Sequence, residues 1–315
     1  MSVARQRVLI LGAGAVGGYF GARLIEGGID VTFLVRPGRA AGLARDGLRV
    51  VSPLGDVTMP VRVLLADAPR GADEAPFALV VMSPKAYDLP AAINAVAPFV
   101  APGTGVLPLL NGIAHIEHLR ARFGAHRVLG GVAHLAATLR PDGVVAHLSP
   151  LAEIRYGAFS PGHEVALQAL DRAFRRAGVA ATLSGAIEQD LWDKLVFLAT
   201  LAGMTCLMRA SVGDIVATPA GERLILALLE ECRAIAAASG CAPAEAVMAR
   251  HRALLTEPGS QFTASMLRDI ERRAPAEADH ILGDLRRRGA ALGIAAPLLD
   301  IAGTHLEAYA ARRLR

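Results

Sequence analysis

A chain of 315 residues is long enough for two domains of ordinary size, and a composition of 53% hydrophobic and 20% charged residues is typical of a packed globular protein. A net charge of only +4 and an aromatic content of 4% argue against a nucleic-acid partner, which needs basic patches and stacking side chains. Uninterrupted apolar runs stay below the ~18 residues that cross a membrane, and three cysteines without a C-x-x-C pair predict reduced thiols in a cytoplasmic protein.

The chain begins with the pattern of a βαβ unit. An apolar strand at 8–11 leads into glycines spaced G-x-G-x-x-G, a helix to residue 26 and a second strand at 30–35. The first glycine turns the chain sharply, the second lets backbone approach a pyrophosphate, and the third lets the helix pack closely on the sheet. An ordinary helix–strand turn is the alternative. We predict a dinucleotide held at the helix N-terminus by Gly12, Ala13, Gly14, Ala15, Val16 and Gly17.

The end of the second predicted strand indicates which dinucleotide is bound. NAD-binding units usually place an acidic residue there for the ribose hydroxyl, whereas NADP-binding units place a basic one. In this chain the residue is Arg36, with Arg39 three positions later, while Asp30 lies at the wrong end of the strand. A guanidinium can form a charge-assisted fork on a 2′-phosphate. The sequence therefore favours NADP, and a solvated loop arginine is the alternative.

The rest of the first half alternates apolar strands with helices, which is the pattern of an open parallel sheet covered on both faces. Further strands are predicted at 57–60, 61–65, 77–82, 106–110, 131–139, 144–148, 153–156 and 179–183, with a helix at 163–177. Pro141-Asp142-Gly143 has the composition of a hairpin turn. We therefore expect a Rossmann-type α/β domain over residues 1–183.

From residue 184 the pattern changes to helices, predicted at 187–201, 220–238, 244–255, 277–292 and 297–312. We expect an all-helical second domain over 184–315 that supplies the substrate groups, with a cleft between the domains. Lys194 lies in the first of these helices among leucines at 191, 195 and 198. Apolar surroundings lower the pKa of a lysine towards the range useful for proton transfer. An exposed lysine whose stem covers apolar surface is the alternative.

Two further candidates follow predicted strands of the first domain. Lys85 and Asn111 come at the carboxyl ends of strands, where open α/β sheets expose their ligand contacts. Lys85 is thus predicted to face the cofactor, and for Asn111 a turn or helix cap is the alternative. His115 and His118 follow three residues apart without a third ligand, so they are expected at the surface and no metal site is predicted.

The second domain holds two more polar candidates. Ser265 could bond a substrate carboxylate, and Glu277 could bond a lysine or a substrate oxygen. Taken by themselves, both have the character of helix caps, with Ser265 as the N-cap before Met266 and Glu277 in the first turn of the next helix. These residues alone favour the capping interpretation.

Taken together, these segments resemble the ketopantoate reductase family (2-dehydropantoate 2-reductases) over nearly the whole chain. The matching segments are Gly12-Ala-Gly-Ala-Val-Gly-Gly, Arg36, Pro84-Lys85-Ala86, Asn111-Gly112, Leu191-Trp192-x-Lys194-Leu195, Ser265-Met266-Leu267-x-Asp269 and Glu277-x-Asp279. The resemblance implies NADPH-dependent reduction of ketopantoate, in pantothenate biosynthesis. It implies that Lys194 is the general acid and that Glu277 supports the lysine and the substrate. It also implies that Asn111 holds the substrate and nicotinamide side, and that Ser265 contacts the substrate carboxylate.

Two positions depart from this family. Its members carry an asparagine one helical turn after the lysine, and often another one turn further, where this chain has Leu198 and Ala202. Burying the ketopantoate hydroxyl without a hydrogen-bond partner would weaken binding by about 1–3 kcal/mol. The alternative substrate is therefore a 2-oxo acid whose apolar tail lies on Leu198 and Ala202. A non-catalytic NADPH-binding protein is a further alternative, against which the retained Lys194 and Glu277 argue. A homodimer through the helical domain is compatible with this plan.

Overall fold

The protein is represented by a computed structural model that describes residues 6–66 and 75–313. Two compact units make up the chain. The N-terminal unit comprises Met1–Leu110 and His115–Ile187, and the helical unit comprises Asn111–Ala114 and Glu188–Arg315. The chain passes into the helical unit shortly after the predicted boundary at residue 183. The short segment Asn111–Ala114, which the sequence analysis assigned to the first domain, belongs to the helical unit.

The secondary structure follows in chain order. The strands are β1 (Arg7–Leu11), β2 (Asp30–Leu34), β3 (Leu48–Val51), β4 (Val57–Met59), β5 (Arg62–Leu64), β6 (Leu79–Met82), β7 (Gly105–Pro108), β8 (Leu129–Leu139), β9 (Val145–Ala158) and β10 (Ala180–Leu183). The helices up to β10 are α1 (Ala15–Glu26), α2 (Pro37–Asp46), α3 (Leu89–Val96), α4 (Ala114–Phe123) and α5 (Glu164–Arg176). The later helices are α6 (Ile187–Met208), α7 (Val212–Val216), α8 (Gly221–Ala238), α9 (Glu245–Leu255), α10 (Ser265–Glu271), α11 (Asp284–Ala291) and α12 (Pro297–Arg313).

The first sheet is parallel throughout and has the strand order β5-β2-β1-β6-β7. Its central strands are apolar because both of their faces are covered; all four residues of β6 are buried. The predicted Rossmann-type α/β fold is thereby confirmed. Since β2, β1 and β6 are neighbours and run the same way, the residues that follow them, Arg36, Gly12 and Lys85, come at one edge of the sheet.

The remaining strands form a second sheet, in the order β10-β9-β3-β4, with β8 antiparallel to β9. The expectation of one open parallel sheet is therefore incomplete. Strand β3 was not predicted, and the two runs predicted around residue 60 separate, β4 joining the second sheet and β5 the first. One hydrophobic core connects both sheets with α1 and α5, and its largest members include Tyr19, Phe20, Phe33, Tyr156 and Phe174.

Strand β9 is one element, although the sequence predicts two short strands at 144–148 and 153–156. The register against β8 jumps from Leu135 opposite Ala152 to Ala137 opposite His147. Residues 148–151 therefore bulge out of the ladder, and this is where Pro150, which has no N–H to donate, is tolerated. The predicted division into two strands is therefore wrong, because the bulge leaves both parts paired with the same strand.

The described part of the helical unit contains helices without strands, as predicted. Its first helix, α6, is long and apolar enough to cross a membrane, since an 18-residue stretch of it has a mean hydropathy of 1.4. In the structure, however, 67% of that stretch is buried. The helix predicted at 277–292 is present over residues 278–291, with a π-helical turn at Asp279–Gly283 before α11. A π-turn inside a helix often marks a functional site, and this one begins two residues after Glu277.

The three consecutive arginines of α11, at 286–288, form ion pairs with carboxylates. Arg286 pairs with Asp300 and Glu307, at 2.9 and 2.6 Å. Arg288 pairs with Asp284 at 2.9 Å and also lies over the ring of Trp192, with its guanidinium carbon 5.7 Å from the centroid. The run therefore forms ion pairs within its own unit and does not present the uncompensated positive charge that phosphate backbones attract.

Candidate active site

The glycine loop after β1 has the geometry of a phosphate cradle. Gly12 has φ +84° and donates its N–H to the carbonyl of Leu34 at 2.8 Å, which ties the loop to β2. A Cβ on Gly17 would lie 2.5 Å from the Gly12 carbonyl oxygen, so only glycine lets α1 begin this close to the sheet. A Cβ on Gly14 would meet nothing within 4 Å. The open space over Gly14, at the N-terminus of α1, fits the pyrophosphate of a dinucleotide.

Arg36 is available to a ligand at the edge of the first sheet. It is the residue before α2, its side chain is 84% exposed, and its Nη2 lies 3.7 Å from the Asp88 carboxylate. An ion pair this long and this exposed contributes little energy. Lys85 is partly exposed and lies just before the short 3-10 helix Ala86–Asp88 that carries Asp88. The structure thus brings Lys85 and Arg36 to the ends of β6 and β2, on either side of the glycine loop.

Arg39, the second arginine considered for the 2′-phosphate, makes different contacts from Arg36. Its Nε donates to the carbonyl of Ala13 at 3.0 Å, and its Nη1 donates to the carbonyl of Gly143 at 2.9 Å. Its remaining Nη2 is buried. Two of the guanidinium nitrogens of the half-buried Arg39 are thus taken up by backbone carbonyls, which leaves Arg36 as the more accessible group for a 2′-phosphate. A contact of Arg39 with that phosphate stays a prediction.

In the helical unit, Lys194 lies on α6 between buried leucines. Leu191 and Leu195 are 5% and 1% exposed, while Leu198 and Lys194 itself keep part of their surface. Desolvation lowers the pKa of Lys194 from 10.5 to about 8, and the carboxylate of Glu277 acts in the opposite direction. At neutral pH this side chain is therefore an ammonium ion that gives up its proton readily, as a general acid must.

The segments that carry Asn111 and Glu277 adjoin each other within the helical unit. Gly112 has φ +80°, and a Cβ placed on it would lie 2.9 Å from the carbonyl oxygen of His280. Glu277 is partly exposed and precedes the π-turn, where its carbonyl accepts the N–H of Ile281 at 3.3 Å. Asn111 thus lies beside the segment whose carboxylate interacts with Lys194. Sequence spacing alone does not reveal this proximity.

Ser265 is not the helix cap that the local sequence suggests. It is the first residue of α10, its side chain makes no capping bond, and the N-cap position belongs to Ala264. The Ala264 N–H donates to Oγ1 of Thr205 on α6, at 3.4 Å. This contact ties the exposed Ser265 to α6, eleven residues beyond Lys194.

Of the two residues that replace the expected asparagines, only Leu198 is accessible. Ala202 is 3% exposed, whereas Leu198 is partly exposed. Sequence reasoning missed an aromatic pair beside it: Phe197 stacks on Phe262 with ring centroids 6.0 Å apart and an interplanar angle of 27°. Phe262 is 43% exposed. The signal was the position of Phe197, three residues after Lys194 and so on neighbouring helix surface.

The predicted surface position of the two histidines on α4 is only half correct. His118 is exposed, but His115 is fully buried. The described ranges contain no group of three His, Cys, Asp or Glu residues placed to hold a metal ion. Neither histidine is assigned a chemical role.

Lysine is nearly absent from this chain, which carries 33 lysine and arginine residues in total but only two lysines, Lys85 and Lys194. Arginine stays protonated throughout the physiological range, whereas lysine can be desolvated and titrated. Of the two lysines, Lys85 lies at the edge of the first sheet, and Lys194 is the residue whose pKa is lowered.

A glycine loop after the first strand of a parallel sheet, followed in the chain by a helical unit with a desolvated lysine, is the arrangement expected of a dinucleotide-dependent oxidoreductase. The profile described as "Ketopantoate reductase PanE/ApbA" matches residues 8–161, and "Ketopantoate reductase PanE/ApbA C terminal" matches residues 186–310. The chain therefore belongs to the ketopantoate reductase family, whose members are pyridine-nucleotide-dependent oxidoreductases acting on CH–OH groups.

Three relatives illustrate the extent of the likeness. The uncharacterized oxidoreductase YkpB of Bacillus subtilis is 34% identical over 98% of this chain and 100% of its own length. The crystal structure of 2-dehydropantoate 2-reductase from Geobacter metallireducens has a TM-score of 0.85 at 32% identity, covering 96% of this chain and 99% of that one. D-mandelate dehydrogenase, solved with NADH and anilino(oxo)acetate, shares the fold with a TM-score of 0.85 at 21% identity, covering 98% and 100%.

The lowered pKa of Lys194 predicts its reactivity. At pH 8 about half of a lysine with a pKa of about 8 is the neutral nucleophile, against about 0.4% at the ordinary pKa of about 10.4. Labelling with an amine reagent from pH 6 to 11, read for Lys194 by mass spectrometry, should give a midpoint near pH 8. Glu277→Gln should move this midpoint to lower pH, because the carboxylate that favours the ammonium is gone.

Asp279→Asn is the matched control for this experiment, since Asp279 lies two residues away and forms its ion pair with Arg287. The Lys194 midpoint should stay unchanged in that variant. A midpoint above pH 10 in the unmodified protein would contradict the desolvated environment of Lys194.

Proposed function

We propose that this protein reduces a 2-oxo acid to the 2-hydroxy acid with NADPH, as a cytoplasmic enzyme, with Lys194 as the proton donor. The bound nicotinamide would supply the hydride to the carbonyl carbon. Lys194 Nζ then gives its proton to the carbonyl oxygen, so that the ketone becomes an alcohol and the ammonium becomes an amine. Glu277 favours the charged lysine before the transfer. The observation that carries the proposal is the lowered pKa of Lys194 in a member of this family.

The remaining candidates divide between substrate and cofactor. Asn111, beside the segment of Glu277, is proposed to orient the substrate and the nicotinamide, and Ser265 to bond the substrate carboxylate. The loop from Gly12 to Gly17, with Lys85, is proposed to hold the cofactor. Arg36 supports NADP, because an exposed guanidinium at the end of β2 can take up a 2′-phosphate.

Ketopantoate is the reference substrate, and a 2-oxo acid with an apolar tail is the second candidate. Leu198 stands one turn after Lys194, and the exposed Phe262 stacks on its neighbour Phe197. Burying apolar tail atoms against such surface gains about 0.8 kcal/mol per methylene. D-mandelate dehydrogenase, solved with anilino(oxo)acetate, has the same fold, which supports an aromatic acid as part of the test. Whether the enzyme serves pantothenate biosynthesis depends on this preference.

Removing the proton donor tests the reaction itself. Lys194→Ala should lower kcat for 2-oxo acid reduction by a factor on the order of 10²–10⁴, the usual contribution of general acid catalysis, with NADPH affinity nearly unchanged. Lys194→Arg should be equally slow, because it keeps the charge but cannot release the proton. NADPH oxidation at 340 nm and cofactor titration measure both effects. If either variant kept a kcat within a few-fold of the parent, Lys194 would not be the proton donor. If the parent protein bound NADPH but reduced no 2-oxo acid, the non-catalytic alternative would be favoured.

Arg36 should set the cofactor preference. Arg36→Asp should weaken NADPH about 10- to 100-fold relative to NADH, since a charge-assisted contact of about 1.5–3 kcal/mol is lost. Asp88→Asn should have the opposite effect and tighten NADPH binding, because it removes the negative charge that lies 3.7 Å from Arg36. The measurement is the Kd of each cofactor. Equal KM values for NADPH and NADH in the unmodified enzyme would argue against the assignment.

Leu198 should select the substrate tail. We expect kcat/KM for a branched or aromatic 2-oxo acid to exceed that for ketopantoate, because the ketopantoate hydroxyl meets leucine where the family has an amide. Leu198→Asn should shift the preference towards ketopantoate, whereas Leu198→Ala, which removes bulk without adding a polar group, should not. The prediction fails if the unmodified enzyme already prefers ketopantoate.

A further inference from the structure

Arg39 connects the cofactor loop to a distant turn of the N-terminal unit. It lies in the first turn of α2, and its Nε donates to the Ala13 carbonyl, inside the G-x-G-x-x-G loop, at 3.0 Å. Its Nη1 donates to the carbonyl of Gly143, in the turn between β8 and β9, at 2.9 Å. One side chain therefore links the loop after β1, the helix after β2 and the hairpin of the second sheet.

The bond to Ala13 determines where the next amide points. The carbonyl of Ala13 and the N–H of Gly14 belong to the same planar trans peptide, so they point in opposite directions. When Arg39 holds the carbonyl on its own side, the Gly14 N–H faces the other way. Gly14 is the residue with open space above it, next to the N-terminus of α1. A ligand can therefore approach the Gly14 backbone closely, and backbone N–H groups at a helix N-terminus are donors for phosphate oxygens.

Within residues 6–66 and 75–313, Arg39 has no carboxylate as an ion-pair partner. Among the described residues its hydrogen bonds go to carbonyls, and its buried Nη2 has no hydrogen-bond partner. Burial lowers its pKa, and the neighbouring Arg49 lowers it further. A half-buried cation without a carboxylate loses part of its hydration and gains no ion pair in return. Beside a phosphate cradle, the same charge becomes favourable once an anion is present.

We propose that Arg39 is a positioning residue for the dinucleotide: it orients the Ala13–Gly14 peptide so that the Gly14 N–H faces the pyrophosphate, and it places a positive charge behind that peptide. The proposal rests on the pyridine-nucleotide dependence of the family and not on the identity of the 2-oxo acid. It assigns Arg39 a role different from that of Arg36, because every nicotinamide dinucleotide has a pyrophosphate but only NADPH has a 2′-phosphate.

The chain offers a matched control in Arg49. This arginine donates from Nη2 to the carbonyl of Asp142, at 2.6 Å, in the same hairpin turn that Arg39 contacts. Within the described residues it makes no bond to the glycine loop. Arg39→Gln and Arg49→Gln each remove one guanidinium from the turn, but only the first one frees the Ala13 carbonyl. Arg39→Lys keeps the charge and cannot bond both carbonyls at once.

The test is the Kd of the full-length protein for NADPH, NADH and 2′-AMP, measured without substrate by calorimetry. Arg39→Gln should raise the Kd about tenfold, or about 1.4 kcal/mol, for NADPH and NADH alike. The Kd for 2′-AMP, which has no pyrophosphate, should stay within twofold of the parent value. The kcat at saturating cofactor should also stay within twofold of the parent. Arg39→Lys should fall between this variant and the parent, and Arg49→Gln should stay within twofold of the parent for all three ligands.

Three results would overturn the proposal: an unchanged Kd in Arg39→Gln, a loss confined to NADPH and 2′-AMP, or an equal loss in Arg49→Gln. The second result would place Arg39 on the 2′-phosphate, and the third would make the hairpin turn responsible. Thermal unfolding and circular dichroism of each variant show whether it folds. If Arg39→Gln does not fold, the comparison of Arg39→Lys with Arg49→Lys carries the same test. Because binding is measured without a 2-oxo acid, failure of the proposed reaction does not affect this outcome.

Discussion

The close approach of α1 to both sheets is the constraint on which the N-terminal unit depends. A Cβ on Gly18 would lie 2.8 Å from a methyl of Val145 in the second sheet, and one on Gly21 would lie 2.5 Å from the ring of Phe33 in the first. Side chains on either face of this helix would push the sheets apart. Because α1 begins directly after the glycine loop, the same packing sets the position of the amides that the phosphates need.

Arginine and lysine occur in different environments in this protein. Arginines hold the fold together by donating to backbone carbonyls: Arg23 to Gly55, Arg49 to Asp142, and Arg39 to Ala13 and Gly143. A guanidinium suits this task because it has five donors and keeps its charge when it is partly buried. Lysine, which gives up its proton when desolvated, is confined to Lys85 and Lys194. Both lysines are among the residues proposed for cofactor binding and catalysis.

Local patterns in the sequence were sufficient for much of the fold and part of the site. The strand, glycine loop and helix from residue 7 to 26 follow from apolar runs and glycine spacing over short distances. The helices of the second unit follow from their apolar periodicity. The apolar neighbours of Lys194 on its own helix indicated the direction of its pKa shift. Such features are local, since the residues that determine them lie within one or two turns of one another.

Tertiary structure decided what depends on partners far along the chain. The bulge that keeps β9 continuous past Pro150 exists because β8 supplies the pairing on both sides of it. The contacts of Arg39 with Ala13 and Gly143, 26 and 104 residues away, depend on the packing of α2 and of the β8–β9 turn against the glycine loop. Asn111 lies beside the segment of Glu277 because Gly112 packs on His280. The sequence by itself determined the elements with a clear local pattern and the candidate groups for chemistry, because both depend on neighbouring residues. It missed strand β3 and the continuity of β9, which depend on pairing with other strands. Which groups meet depends on packing between distant segments, and only the folded chain decides that.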